Sequence, residues 1–140
     1  MNREIKFRGY NGGEWLYDSI ISIQQYGNVT HCFMPNEKNK SDQDDINNWD
    51  GVCYVGEYTG IKDYEGKEIY EGDIVEKEFM EPWIEEWLED TKFIGIVEMI
   101  DGCWCVVNEK KKKCEYLWSE TDVNHVIGNI YENKNLLEEE

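Results

Sequence analysis

Positive charge is scarce in this sequence. Lys and Arg total 14 against 31 Asp and Glu, for a formal net charge of −17. A free nucleic-acid binder normally carries a basic excess, so the balance argues against that class. Long apolar runs are also missing. None approaches the roughly 18–20 residues that span a bilayer, which argues against a membrane protein. The opening Met1-Asn2-Arg3-Glu4-Ile5-Lys6 runs straight into alternating charged and apolar residues, without the apolar stretch of a secretory leader. The cysteines are odd in number: Cys32, Cys53, Cys103, Cys105 and Cys114. With no leader before them, they fit a reduced cytoplasm better than a disulfide scaffold. On the same ground the acceptor pattern Asn28-Val29-Thr30 carries no weight.

Chemical motifs are equally thin. Cys103 and Cys105 sit two apart in an apolar run, so on a strand they share a face, and Cys114 and His125 could come near them. The spacing is not the Cys-x-x-Cys pairing of structural zinc, and free thiols in or near the core are the plainer reading. Gly60 to Lys67 fails as a phosphate loop, because five residues separate its glycines and Glu68 follows the lysine. Asp42, Asp44 and Asp45 lack the glycine and terminal glutamate of a calcium loop. His31 and His125 have no nucleophile in a recognisable elbow. His31 and Cys32 are adjacent, so a strand would point them to opposite faces. No catalytic residue, metal site or cofactor is expected.

The sequence does hold enough apolar mass for a core. Of 140 residues, 40% are hydrophobic and 14% aromatic, which argues against disorder. Short strands alternate with glycine turns. Glu4–Arg8 alternates polar and apolar, Asn11-Gly12-Gly13 turns, and Glu14–Tyr17 returns. Ser19–Ile23 and Val29–Phe33 flank a turn at Gly27-Asn28. Residues 35–51 break the pattern as an acidic loop, with Trp49 placed to tuck it down. Val52–Tyr58 resumes strand character, Gly60, Gly66 and Gly72 punctuate the next stretch, and Ile74-Val75 begins another strand. Phe93–Ile100, the turn Asp101-Gly102 and Cys103–Asn108 form a hairpin. The basic run Lys110–Lys113 reads as a solvated turn, and Glu115–Trp118 and Val123–Tyr131 are further strands. One helical turn is expected around Leu136 and Leu137.

One segment departs from this. Met80, Trp83, Ile84, Trp87 and Leu88 recur at helical spacing, with six acids and no base between Glu78 and Asp90. This predicts an acidic amphipathic helix at 81–90, with Pro82 in its first turn. Its tryptophan stripe must be covered, either by the protein's own sheet or by a partner or second copy. Short strands joined by tight turns favour a small barrel, which removes exposed edges.

Four blocks resemble the YopX family of phage and prophage proteins. They are Arg3-Glu4-Ile5-Lys6-Phe7-Arg8, Tyr58-Thr59-Gly60-Ile61-Lys62-Asp63, Gly66-Lys67-Glu68-Ile69-Tyr70-Glu71-Gly72-Asp73-Ile74-Val75, and Val126-Ile127-Gly128-Asn129-Ile130-Tyr131-Glu132-Asn133. They succeed one another in order from end to end of the chain. The resemblance implies a mostly β protein: an N-terminal β-rich region (1–55), then an SH3-like small β-barrel (56–140). The helix at 81–90 then looks like an insertion in a barrel loop, adding an α+β element. The resemblance also implies an origin in phage or bacterial mobile DNA and a bacterial cytoplasm. It carries over no activity and no catalytic residues. The first block departs from the family's usual pattern at Gly9-Tyr10-Asn11.

The function expected is a non-enzymatic accessory protein that binds an unidentified protein partner, with self-association open. Trp83, Trp87, Tyr58, Tyr64, Tyr70 and Trp104 are candidates for the contact face, each competing with ordinary packing. The alternative is an acidic DNA mimic that blocks a DNA-binding protein, motivated by the charge. A nucleic-acid-binding barrel stands behind both, because only Lys110–Lys113 is locally basic.

Overall fold

The computed structural model describes residues 4–38, 48–79, 92–120 and 122–138. The expected helix at 81–90, with Trp83 and Trp87, and the middle of the acidic loop lie outside these residues. The chain folds as two compact units, Met1–Tyr58 and Thr59–Glu140, so the boundary falls inside a strand a few residues beyond the expected one.

In the first unit, β1 (Phe7–Tyr10) pairs antiparallel with β2 (Trp15–Asp18) across the Asn11–Gly13 turn. Asn11 shapes that turn, because its Oδ1 accepts from the N–H groups of Gly13 and Glu14 at 2.9 and 2.8 Å. On its other side β1 takes the first half of β6 (Tyr54–Lys62). A second sheet has the order β3 (Ser22–Tyr26), β4 (Val29–Met34), β5 (Asp50–Val52). Leu16, Met34 and Val52 form the buried centre, with Phe7, Ile21, Cys32 and Val55 packed around them. The base of the acidic loop is tied by side chains. Asn36 Nδ2 donates to Asp50 Oδ2 at 2.7 Å, and Lys38 Nζ donates to Glu14 Oε2 at 2.8 Å.

In the second unit, the end of β6 leads through a turn to β7 (Glu68–Tyr70). A five-stranded antiparallel sheet comes next. Its strands are β8 (Asp73–Phe79), β9 (Lys92–Ile100), β10 (Cys103–Asn108), β11 (Lys113–Tyr116) and β12 (Asp122–Asn129). Their order is β11-β10-β9-β8-β12. The only described helix is the single turn α1 (Asn135–Glu138). Ile69, Val75, Phe93, Val97, Val106 and Leu117 make the core, with Ile61, Phe79, Trp104 and Val126 against it. Each fully buried aliphatic side chain contributes about 1.5–3 kcal/mol relative to exposure.

The fold is mostly β, as the turn and alternation pattern indicates. The closed barrel is not what the described strands form: their order is open, with β11 and β12 as its two ends. Two features keep those ends as edges. β11 is four residues long and exposed throughout, and β12 changes register between Val126 and Gly128.

Glycines and aspartates build the turns, some of them inside the family-like blocks. Asp101 and Gly102 both have positive φ, at 48° and 82°, the geometry that lets a two-residue turn follow the twist of β9 and β10. Gly72 has φ 89°, and a Cβ there would lie 3.3 Å from the Tyr131 ring. Asp63 is buried and accepts three backbone N–H groups: Glu65 and Lys67 on Oδ1, at 3.0 and 2.8 Å, and Val126 on Oδ2, at 3.0 Å. Tyr64 N–H adds a bond to Asn124 O at 2.8 Å, so the β6–β7 turn is fastened to β12.

Asp63→Ala orphans three donors at once. Since leaving one buried donor unmet costs about 1–3 kcal/mol, the variant is expected to lose at least about 2 kcal/mol in urea unfolding. An unchanged midpoint would show that the turn is not held through this carboxylate.

Candidate functional site

The fastened turn forms one wall of an open cleft of ≈410 Å³. It is lined by Gly60 to Tyr64, by Trp118 and Ser119, and by Asp122 to Asn124 at the start of β12. Tyr64 is 73% exposed and Trp118 62% exposed, so two aromatic side chains stand in solvent at a hollow also lined by Lys62, Asp63, Asp122 and Asn124. The Tyr64 ring lies against the His125 ring, with centroids 5.6 Å apart at 59°. His125 is in turn held between carboxylates, with Nδ1 2.8 Å from Glu65 Oε1 and Nε2 3.7 Å from Glu78 Oε2.

Beneath the cleft lies a buried cation. Lys77 is the largest fully buried side chain described, on a strand otherwise feeding the apolar core. Its Nζ sits 3.5 Å from Asp122 Oδ2 and donates to Leu117 O at 3.2 Å. Asn124 Nδ2 donates to the same carbonyl at 2.8 Å. The Leu117 carbonyl therefore collects two donors from β8 and β12, and the chain leaving it carries Trp118 to the cleft. Asn124 Oδ1 is buried with no hydrogen-bond partner among the described residues. Burial pulls the Lys77 ammonium below the ordinary lysine value of 10.5, against the charge of Asp122, its hydrogen bond and then Glu115.

The residues singled out in the sequence are dispersed by the fold. Tyr64 is on the cleft. Tyr70 is a correction: at 2% exposure it is inside, its N–H bonded to Asp73 Oδ2 and its hydroxyl to Glu68 Oε1, so its ring offers no contact face. Tyr58 is likewise buried. Trp104 packs partly buried against the core. Trp118, which the sequence marks only as a strand end, is the missed residue. The alternation Tyr116 exposed, Leu117 buried, Trp118 exposed carries the signal.

The thiols and the imidazole do not form a site. Cys103 and Cys105 are on β10, Cys114 pairs on β11 opposite Val107, and β9 and β8 separate them from His125 on β12. No group of three or more His, Cys, Asp or Glu that could hold a metal occurs among the described residues. The Cys105 thiol is pushed up from its ordinary value by burial first, then by Cys114, Cys103 and Asp101. In the first unit, a second hollow of ≈450 Å³ is lined by Asn11, Thr30 to Phe33 and Gly51 to Cys53. There the His31 ring lies against the Tyr26 and Phe33 rings, while Cys32 packs toward the core, so neighbours point to opposite faces. No described helix is long and apolar enough to cross a membrane.

Among known families, the model described as YopX protein matches residues 6–138. The chain is similar to the crystal structure of the protein yopX from Bacillus subtilis, at 18% identity and a TM-score of 0.52 over 94% of this chain and 96% of that one. At that identity the likeness concerns the fold. No curated protein matches.

Removing one partner of a buried ion pair costs about 3–5 kcal/mol, whereas replacing both partners by apolar residues of similar size is often neutral or stabilising. Asp122→Ala is therefore expected to destabilise strongly, Lys77→Met less because Asp122 is the more exposed partner, and Lys77→Met/Asp122→Leu to keep stability. Because the unfolded chain holds the Lys77 proton more tightly than the folded one, this lysine's contribution improves as pH rises toward 10.5. Urea midpoints on the alkaline side should show the native chain gaining on Lys77→Met. A constant gap would remove the buried cation from the account. Under iodoacetamide, Cys53, Cys103 and Cys114 are exposed and should label well before buried Cys105. Mass spectrometry showing Cys105 labelled first would contradict its burial.

Proposed function

Because the chain belongs to the YopX protein family, we propose that it is a phage- or prophage-encoded accessory protein that binds another protein in the bacterial cytoplasm and catalyses nothing. The observation that carries this reading is the Tyr64–Trp118 cleft: two aromatics largely in solvent, beside a lining that includes Lys62, Asp63, Asp122 and Asn124. Aromatic side chains supply large contact area at low entropic cost, and an exposed pair beside a groove suits an extended segment with an apolar anchor. The charge of −17 steers a basic segment toward this protein. The SH3-like reading of the second unit belongs to the same proposal. It is supported by five antiparallel strands with tight turns and a peptide-sized hollow beside one of them.

The mimic reading is set aside. Among the described residues many carboxylates are engaged locally. Asp63 and Asp73 hold turns, Glu14 pairs with Lys38, Asp122 with Lys77, and Glu76 with Lys92. Lys110 to Lys112 occupy the turn between β10 and β11.

The test uses Tyr64→Ala/Trp118→Ala, whose sites are exposed enough that folding should be preserved to within about 0.5 kcal/mol per substitution. The native chain and the variant are immobilised and exposed to extracts of the induced bacterial host. A protein retained by the native chain and lost by the variant, with both melting alike, is the expected result. Identical recovery by both would defeat the cleft as the contact surface.

A further inference from the structure

We propose that β3 is a self-pairing edge through which two copies of this chain join across a two-fold axis. Residues 19–36 contain no Asp, Glu, Lys or Arg, in a chain where charged residues make up 32%. This uncharged stretch forms the β3–β4 hairpin, and within it Ile20, Ile23, Tyr26 and Val29 are each more than half exposed. β3 is the end strand of its sheet, with β4 as its single described neighbour. Its five pairs, Ser22↔Phe33 through Tyr26↔Val29, run without a register break. Alternate residues of such a strand turn their N–H and C=O groups away from the sheet.

The other edges show what is missing here. Edge strands are normally protected by charge, proline or a bulge. β2 carries Asp18, β5 carries Asp50 and β7 carries Glu68. β11 carries Lys113 and Glu115, and β12 carries Asp122 as well as its register shift. β3, reading Ser-Ile-Gln-Gln-Tyr, has none of these.

The same facts select the occupant. An antiparallel strand is self-complementary about a two-fold, so a charged residue near the axis would meet its own like charge. β3 avoids that penalty. A chain of net charge −17 repels its copies, and residues 19–36 are its longest stretch free of charged side chains. Ile23, at 67% the most exposed apolar side chain of the hairpin, is placed beside the axis, where pairing covers it twice over. The edge thus faces the edge of a second copy, with Ile23 against Ile23.

Sedimentation of the full chain across a dilution series should show a monomer–dimer equilibrium. The dimer should strengthen as salt rises, because salt screens the repulsion while the uncharged seam loses nothing. Ile23→Lys and Ile23→Glu should each be monomeric with unchanged circular dichroism. An equimolar mixture of the two should recover the dimer, which simple loss of fold cannot do. Met99→Lys, at an exposed site in the other unit, changes the net charge equally and should remain dimeric. A native chain monomeric at every concentration, a dimeric Ile23→Lys, or a mixture that stays monomeric would each overturn the proposal.

Discussion

The second unit is organised around a positive charge that it has taken out of water. Lys77 is buried to its tip, on a strand that also buries Ile74 and Val75. Burying an ammonium costs several kcal/mol even after relaxation, so its partners are obligatory. Two or three well-buried aliphatic neighbours are enough to offset that cost. The arrangement gains direction from it. Asp122 and the Leu117 carbonyl are drawn to one point, and Asn124 closes on the same carbonyl. The segment from Leu117 to Asp122 cannot drift from β8 without stranding the charge. Trp118 and the start of β12 are therefore positioned from below, and the cleft inherits its shape from a side chain that does not line it.

A similar division of labour runs through the family-like blocks. The glycines Gly60 and Gly66 lack the spacing of a phosphate loop, and the fold shows what these blocks do instead. In the fold Asp63 and Asp73 face backbone N–H groups, and the glycines beside them take the backbone angles that the turns need. Asn129 behaves likewise, its Oδ1 accepting from the N–H groups of Tyr131 and Glu132. Membership of the family therefore speaks for the scaffold, and the exposed Tyr64 and Trp118 stand just outside these pins.

Much of the strand plan was readable. Period-two alternation and the Asp101-Gly102 turn mark β9 and β10 closely, because their pairing is local and both depend on short-range geometry. In the first unit β1 and β3 begin three residues later than expected, and β5 begins inside the stretch 35–51 expected as a loop, since propensity marks where strands suit but not where a partner begins. Three things were not readable. A lysine in a strand looks like a solvent-facing residue, and only the third dimension supplies Asp122 and Leu117 to bury it. Tyr70 and Tyr64 look alike in sequence, yet one lies before a turn that folds inward and the other projects from the turn itself. Sheet closure depends on whether the first and last strands meet, and the register shift in β12 lies beyond what alternation reports.

The knot at the base of the acidic loop has a practical corollary. Asn36 and Asp50 are joined directly, and Asn11 Nδ2 adds a second bond to the same carboxylate at 2.9 Å. Chain leaving at one anchor re-enters at the other, so the segment's length is uncoupled from the strands. A flexible insert between such anchors adds only about 0.6 kcal/mol of closure entropy for each doubling of its length. Foreign peptides, affinity handles or reporter sequences can accordingly be grafted between these anchors, making this the natural port for engineering the protein.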